Sequence, residues 1–166
     1  MSRPLRVLIV EDSEDDTLLL VRELRRGGYD PEFQRVETAE AMNAALEKQK
    51  WDIVLADYAM PHFDAIGALE LFKEKGREAP FIIVSGAISE ETAVAAMKAG
   101  ARDYITKDKL VRLIPAMVRE LRDAEVRRMR KQAEQALLEA HDKLELRVEE
   151  RTAELTKANQ QLKREV

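Results

Sequence analysis

Apolar runs alternate with amphipathic stretches along the first two thirds of the chain. Residues 5–10 form a near-continuous apolar run that predicts a strand, and 14–26 carry helical spacing that stops at Gly27-Gly28. Residues 32–36 alternate polar and apolar and predict a second strand. Thr38 is placed to cap a helix that runs to about residue 49. Strands are then expected at 52–57, 81–84 and 102–106. Helices are expected at 65–75, ended by Gly76, and from the cap Ser89 to residue 99, ended by Gly100. A fifth helix begins near 112–115. Five strand-helix units with short loops predict an α/β fold, a parallel sheet with helices on both faces. The first, third and fourth strands are almost wholly apolar, as central parallel strands are, while the alternating second and the short polar fifth suit the edges. The predicted architecture is a doubly wound, five-stranded parallel sheet of order 2-1-3-4-5, flavodoxin-like, with the fifth helix extended into a long coiled-coil helix.

That extension is visible in what the sequence lacks. Pro115 suits the first turn of a helix, and no glycine or proline follows it. About 50 residues at 1.5 Å each give roughly 75 Å, far more than one sheet layer needs. A core-facing stripe of Leu110, Leu113, Ile114, Met117 and Leu121 gives way to a second stripe: Leu137, Ala140, Leu144, Val148, Arg151, Leu155, Ala158 and Leu162. Its steps of three and four residues are those of a coiled coil. A parallel homodimer covers such a stripe; a single solvated helix held by charge pairs is the plainer alternative. Arg151 at a core position weakens the pairing or sets its register. The expected organisation is a globular domain over 1–122 and a helical extension over 123–166. The stripe runs on without a capping signal, which suggests the front part of a longer protein cut before an output module.

Composition narrows the function classes. The chain has 166 residues, a formal net charge of -4, no cysteine and two histidines. Disulfides, thiolate metal sites and cysteine nucleophiles are excluded. The mild negative charge argues against nucleic-acid binding. The tail holds ten basic and ten acidic side chains and is neutral. No apolar run approaches a membrane span and the N-terminus lacks a signal-peptide pattern, so the expected location is cytoplasmic, with no membrane partner.

The chemistry lies in residues that close the strands. Glu11 and Asp12 end the first apolar run and Asp57 the third. Parallel neighbours in the predicted order bring these three carboxylates to one sheet edge at the switch point, where ligands of such sheets bind. An all-oxygen set without His or Cys suits a hard cation such as Mg2+, or Mn2+, and points to phosphate chemistry. Ser85 closes the fourth strand; Tyr104 and Lys107 flank the end of the fifth. Taken singly, each has a bland reading. Asp57 and Ser85 are ordinary turn residues, Lys107 a solvated lysine and Tyr104 an edge aromatic. Ser13 with Asp16 reads as a capping box at the helix start.

Together these residues resemble the receiver domain of two-component response regulators, over about residues 3–122. The resemblance implies that Asp57 accepts a phosphoryl group from a phosphohistidine, on a histidine kinase or histidine phosphotransfer protein. It implies Mg2+ held by Glu11, Asp12, Asp57 and the main-chain carbonyl of Ala59. Lys107 then balances phosphoryl charge and the Ser85 hydroxyl bonds a phosphoryl oxygen. Ser85 and Tyr104 also form the switch that alters the face made by the fourth helix, fifth strand and fifth helix. A receiver is a phosphoacceptor signalling domain rather than an enzyme in its own right. Residues 146–155 resemble the signalling helices that lead to PAS, kinase or cyclase modules. Three positions depart from the family pattern: Asp108 stands where proline is common, the turn at 60–65 lacks glycine, and Ala59 offers no side-chain hydrogen bond. The second reading is an unphosphorylated pseudo-receiver that acts as a dimerisation scaffold. Two other classes fit poorly. A flavin binder needs a phosphate cradle where 11–16 is acidic, and a dehalogenase-type phosphatase needs Asp-x-Asp where Asp12 is followed by Ser13-Glu14.

Overall fold

The computed structural model describes all 166 residues. Its elements are β1 (Arg3–Val10), α1 (Glu14–Arg26), β2 (Tyr29–Val36), α2 (Ala39–Lys48), β3 (Ile53–Ala56), α3 (Ala65–Glu74), β4 (Phe81–Ser85), α4 (Glu90–Ala99), β5 (Asp103–Thr106), a 3-10 turn (Lys107–Arg112) and α5 (Leu113–Arg164). The sheet is parallel throughout, in the order β2-β1-β3-β4-β5, as the sequence pattern predicted.

Alternation along the strands divides the core into two layers. Leu8, Val10, Val54, Ala56, Phe81 and Ile83 face α2 and α3, where they meet Met42, Leu46, Leu69 and Phe72. Phe72 and Phe81 stack at a tilt of 52°, 5.8 Å between ring centres. Val7, Ile9, Leu55, Ile82, Val84 and Ile105 face the other way, onto Leu20, Val21 and Leu24 of α1 and Leu113, Ala116 and Met117 of α5. All four residues of β3 are buried, which explains their unbroken apolar run.

Helix starts follow the capping chemistry. The side chains of Ser13, Thr38, Asp64 and Ser89 each accept the N–H three residues on. Gly100 ends α4 in the left-handed region at φ 118°, a conformation that favours glycine. Two strand starts differ from the pattern by more than one residue. The first strand begins at Arg3 and the second at Tyr29, because the two pair in register from Arg3↔Tyr29 to Val10↔Val36. Pro31 is tolerated there because β2 is an edge strand. The turn at Lys107–Arg112, which the sequence did not predict, tightens the chain between β5 and α5. Every peptide bond is trans, that before Asp108 included.

Residues Met1–Glu125 and Val126–Val166 form two separate compact units. In the second, Leu137, Leu144, Val148, Leu155 and Leu162 are all exposed. No helix is long and apolar enough to cross a membrane.

Candidate functional site

The parallel register builds the site at the carboxyl ends of the strands. Val10 pairs with Ala56, so the residues that follow them, Glu11 and Asp57, emerge at one level. The Asp57 N–H donates to the Val10 carbonyl at 2.8 Å and the Glu11 N–H to the Val36 carbonyl at 3.0 Å. Arg35 Nη1 on β2 donates to the carbonyls of Glu11 and Asp12, at 3.2 and 3.4 Å, and steadies the acidic loop from behind. The carboxylate oxygens of Glu11, Asp12 and Asp57 come within 4.8 Å of one another. Glu11 is 1% exposed and Asp57 9%, whereas Asp12 faces solvent. Three oxygen donors that close together fit a hard divalent cation.

One ammonium group answers this charge. Lys107 Nζ, at the first position after β5, donates to Asp16 Oδ2 at 2.7 Å, Glu11 Oε2 at 3.0 Å and Asp57 Oδ2 at 3.2 Å. Burial opposes its charge, but hydrogen bonds to Asp16, Glu11 and Asp57 outweigh burial and raise Lys107 above the ordinary lysine value. Burial pushes Glu11 up to about 7, aided by the Asp57 charge and opposed by the Ser13 N–H and the Lys107 ammonium.

The remaining residues sit around this network. Ser85 is buried as the last residue of β4 and pairs with Thr106. Tyr104 is half-buried and lines a groove with Ala93, Val94, Met97 and Lys98 of α4. Neither belongs to the Lys107 hydrogen-bond network. Ala59 is exposed in the loop after β3. Of the two histidines, His62 is exposed in the same loop and His141 lies on the tail, 3.7 Å from Glu145.

The expected capping box is not formed. Ser13 Oγ does accept the Asp16 N–H at 3.2 Å, but the carboxylate that reaches back to the Ser13 N–H is Glu11, at 3.0 Å. Asp16 is turned instead to Lys107. Asp16 and Arg35 were missed at the level of sequence. The signal for Asp16 was its spacing of four from Asp12 at a helix start; that for Arg35 was a cation facing the acidic loop from the neighbouring strand.

Comparison with known proteins agrees with this geometry. Residues 7–119 match the family described as the response regulator receiver domain. A response regulator of Rickettsia conorii described as NtrX-like is 38% identical over 115 residues, covering 66% of this chain and 24% of that protein. The transcriptional regulatory protein PrrA of Mycobacterium bovis is 31% identical over 116 residues, covering 70% of this chain and 49% of the relative. This chain thus spans half or less of the length of these relatives. The crystal structure of NtrX from Brucella abortus superposes with a TM-score of 0.68 at 27% identity, over 80% of this chain and 30% of that one. Fold, strand-end carboxylates and family match all converge: the chain belongs to the response regulator receiver domains of two-component signalling.

Proposed function

We propose that Asp57 is the phosphoacceptor of this receiver. One observation carries the reading: Asp57 sits at a buried strand end, hydrogen-bonded to Lys107 and gathered with Glu11 and Asp12. Glu11, Asp12, Asp57 and the Ala59 carbonyl would hold Mg2+ or Mn2+, which supplies the positive charge that screens the carboxylates from an incoming phosphoryl group. A carboxylate oxygen of Asp57 attacks phosphorus of a donor phosphohistidine. The P–N bond breaks, its electron pair stays on the imidazole nitrogen, and an aspartyl phosphate forms on Asp57. Lys107 balances the charge on the phosphoryl oxygens and Ser85 donates a hydrogen bond to one of them. The donor is a histidine kinase or histidine phosphotransfer protein.

The same contacts give a switch. As Ser85 turns toward the phosphoryl group, Tyr104 moves from its place beside α4 into the space released, and the α4-β5-α5 face changes. Residues 1–122 act as the receiver and 123–166 as a signalling helix that pairs in a parallel homodimer. The uncovered stripe from Leu137 to Leu162 supports the pairing. A PAS, kinase or cyclase module in a longer protein would receive the signal.

Incubation with Mg2+ and acetyl phosphate, followed by intact-mass measurement, tests the acceptor. One added phosphoryl group is expected on the wild type and none on Asp57→Ala; an adduct that persists in the variant defeats the proposal. Light scattering tests the tail: a dimer mass is expected, and a monomer at tens of micromolar removes the dimer.

A further inference from the structure

We propose that Asp16 is a positioning residue that acts through Lys107 and sets how the site divides its affinity between cation and phosphoryl group. The inference rests on the reading of Asp57 as phosphoacceptor. An ammonium group has three N–H donors, and Lys107 spends them on three carboxylates. The shortest of these contacts, 2.7 Å, is to Asp16 rather than to the proposed acceptor at 3.2 Å. Glu11 and Asp57 also belong to the group of oxygens that can close on a cation, and Asp16 does not. Asp16 therefore serves Lys107 alone.

The start of α1 fixes it in that role. The Asp16 N–H is held by Ser13 Oγ, and the next residue, Thr17, donates its hydroxyl to the Ser13 carbonyl at 2.9 Å. With its backbone held and the Ser13 N–H already taken by Glu11, the Asp16 carboxylate is left to face Lys107. The pair is partly sheltered, with 20% of the Lys107 and 33% of the Asp16 side chain exposed, so the charge is only partly screened.

Once Asp57 carries a phosphoryl group, Lys107 has two rival anionic partners, the phosphoryl oxygens and Asp16. Asp16 draws the ammonium away from phosphate and adds a repelling charge. Toward a cation it does the reverse, since it supplies attraction and engages Lys107, which repels the metal. Removal of the Asp16 charge thus weakens cation binding and strengthens phosphoryl binding. These opposite signs distinguish positioning from structural damage, which lowers both.

The test uses Asp16→Asn in the full chain, with Asp15→Asn as a control of equal charge change. Asp15 is the exposed neighbour on the same turn. Calorimetry gives the Mg2+ affinity, and titration with beryllofluoride at saturating Mg2+ gives the affinity for a phosphoryl mimic. For Asp16→Asn, roughly threefold to tenfold weaker Mg2+ binding and a similar gain for beryllofluoride are expected, with smaller changes in Asp15→Asn. Asp16→Glu keeps the charge and is expected to track the wild type. Should Asn impair folding, Asp16→Ser takes its place. Two affinities that move in the same direction, equal effects from Asp15→Asn, or a Glu variant that behaves like Asn overturn the role of Asp16. Failure of the wild type to bind beryllofluoride with Mg2+ instead overturns the reading of Asp57.

Discussion

Cation binding should be coupled to a proton on Glu11. Burial places this carboxyl near 7, against an ordinary value of 4.5, and a metal ligand must be ionised. About half of Glu11 is then ionised at pH 7, roughly one tenth at pH 6 and nine tenths at pH 8. The apparent Mg2+ association constant should therefore fall about tenfold from pH 8 to pH 6, or about 1.4 kcal/mol, where an ordinary glutamate would give no change. Calorimetric titration in two buffers of different ionisation enthalpy counts the protons, and about half a proton per Mg2+ is expected at pH 7. Glu11→Gln should flatten the profile. Equal affinities at pH 6 and pH 8 in the wild type, with no proton released, would refute the coupling. The same shift bears on metal-free stability. Because the folded value lies above the unfolded one, the contribution is full below about 4.5 and lost as pH rises through about 7. Chelator-treated protein should lose that contribution between these limits.

Other consequences follow from single contacts. Lys107→Ala removes the ammonium from among Glu11, Asp16 and Asp57, so Mg2+ should bind more tightly while labelling by acetyl phosphate slows by about tenfold or more; a parallel loss of both would argue against the charge-balancing role. Ala59→Asn adds a side chain able to hydrogen-bond water near the acceptor and should shorten the life of the phosphoryl group, measured as loss of the mass adduct after donor removal. An unchanged rate would show that the lifetime is set elsewhere. Gly27→Ala places a methyl group against Ile114 where α1 meets α5, and should lower the urea-unfolding stability by about 1–3 kcal/mol; a neutral result would mean that Ile114 yields freely.

The sheet was legible because each central strand announces its own burial. The run Ile53-Val54-Leu55-Ala56 admits few places other than the middle of a two-layered sheet, and Gly100 marks the end of α4 by its backbone conformation. Edge strands were less legible. The start of β2 is decided by its pairing with Arg3–Val10, a long-range property that its own polar sequence does not carry. At the site, Glu11, Asp12, Asp57 and Lys107 could be read because each closes a strand, and parallel order converts strand ends into neighbours. Asp16 could not be read in the same way. It sits inside a helix, where a local capping role competes with a contact 91 residues away, and only the fold decides between them. The 3-10 turn after Lys107 escaped for a related reason, since Lys109 leaves helical geometry within it.

The most direct test of the account locates the phosphoryl group on the chain. The protein is labelled with acetyl phosphate and Mg2+, reduced with borohydride, digested and sequenced by mass spectrometry. Hydride replaces the acyl phosphate and converts its aspartate to homoserine. Homoserine at position 57 alone is the predicted result. Homoserine at position 12, 15 or 16, or at no position in a protein that has gained the phosphoryl mass, would contradict the assignment of Asp57 as the acceptor.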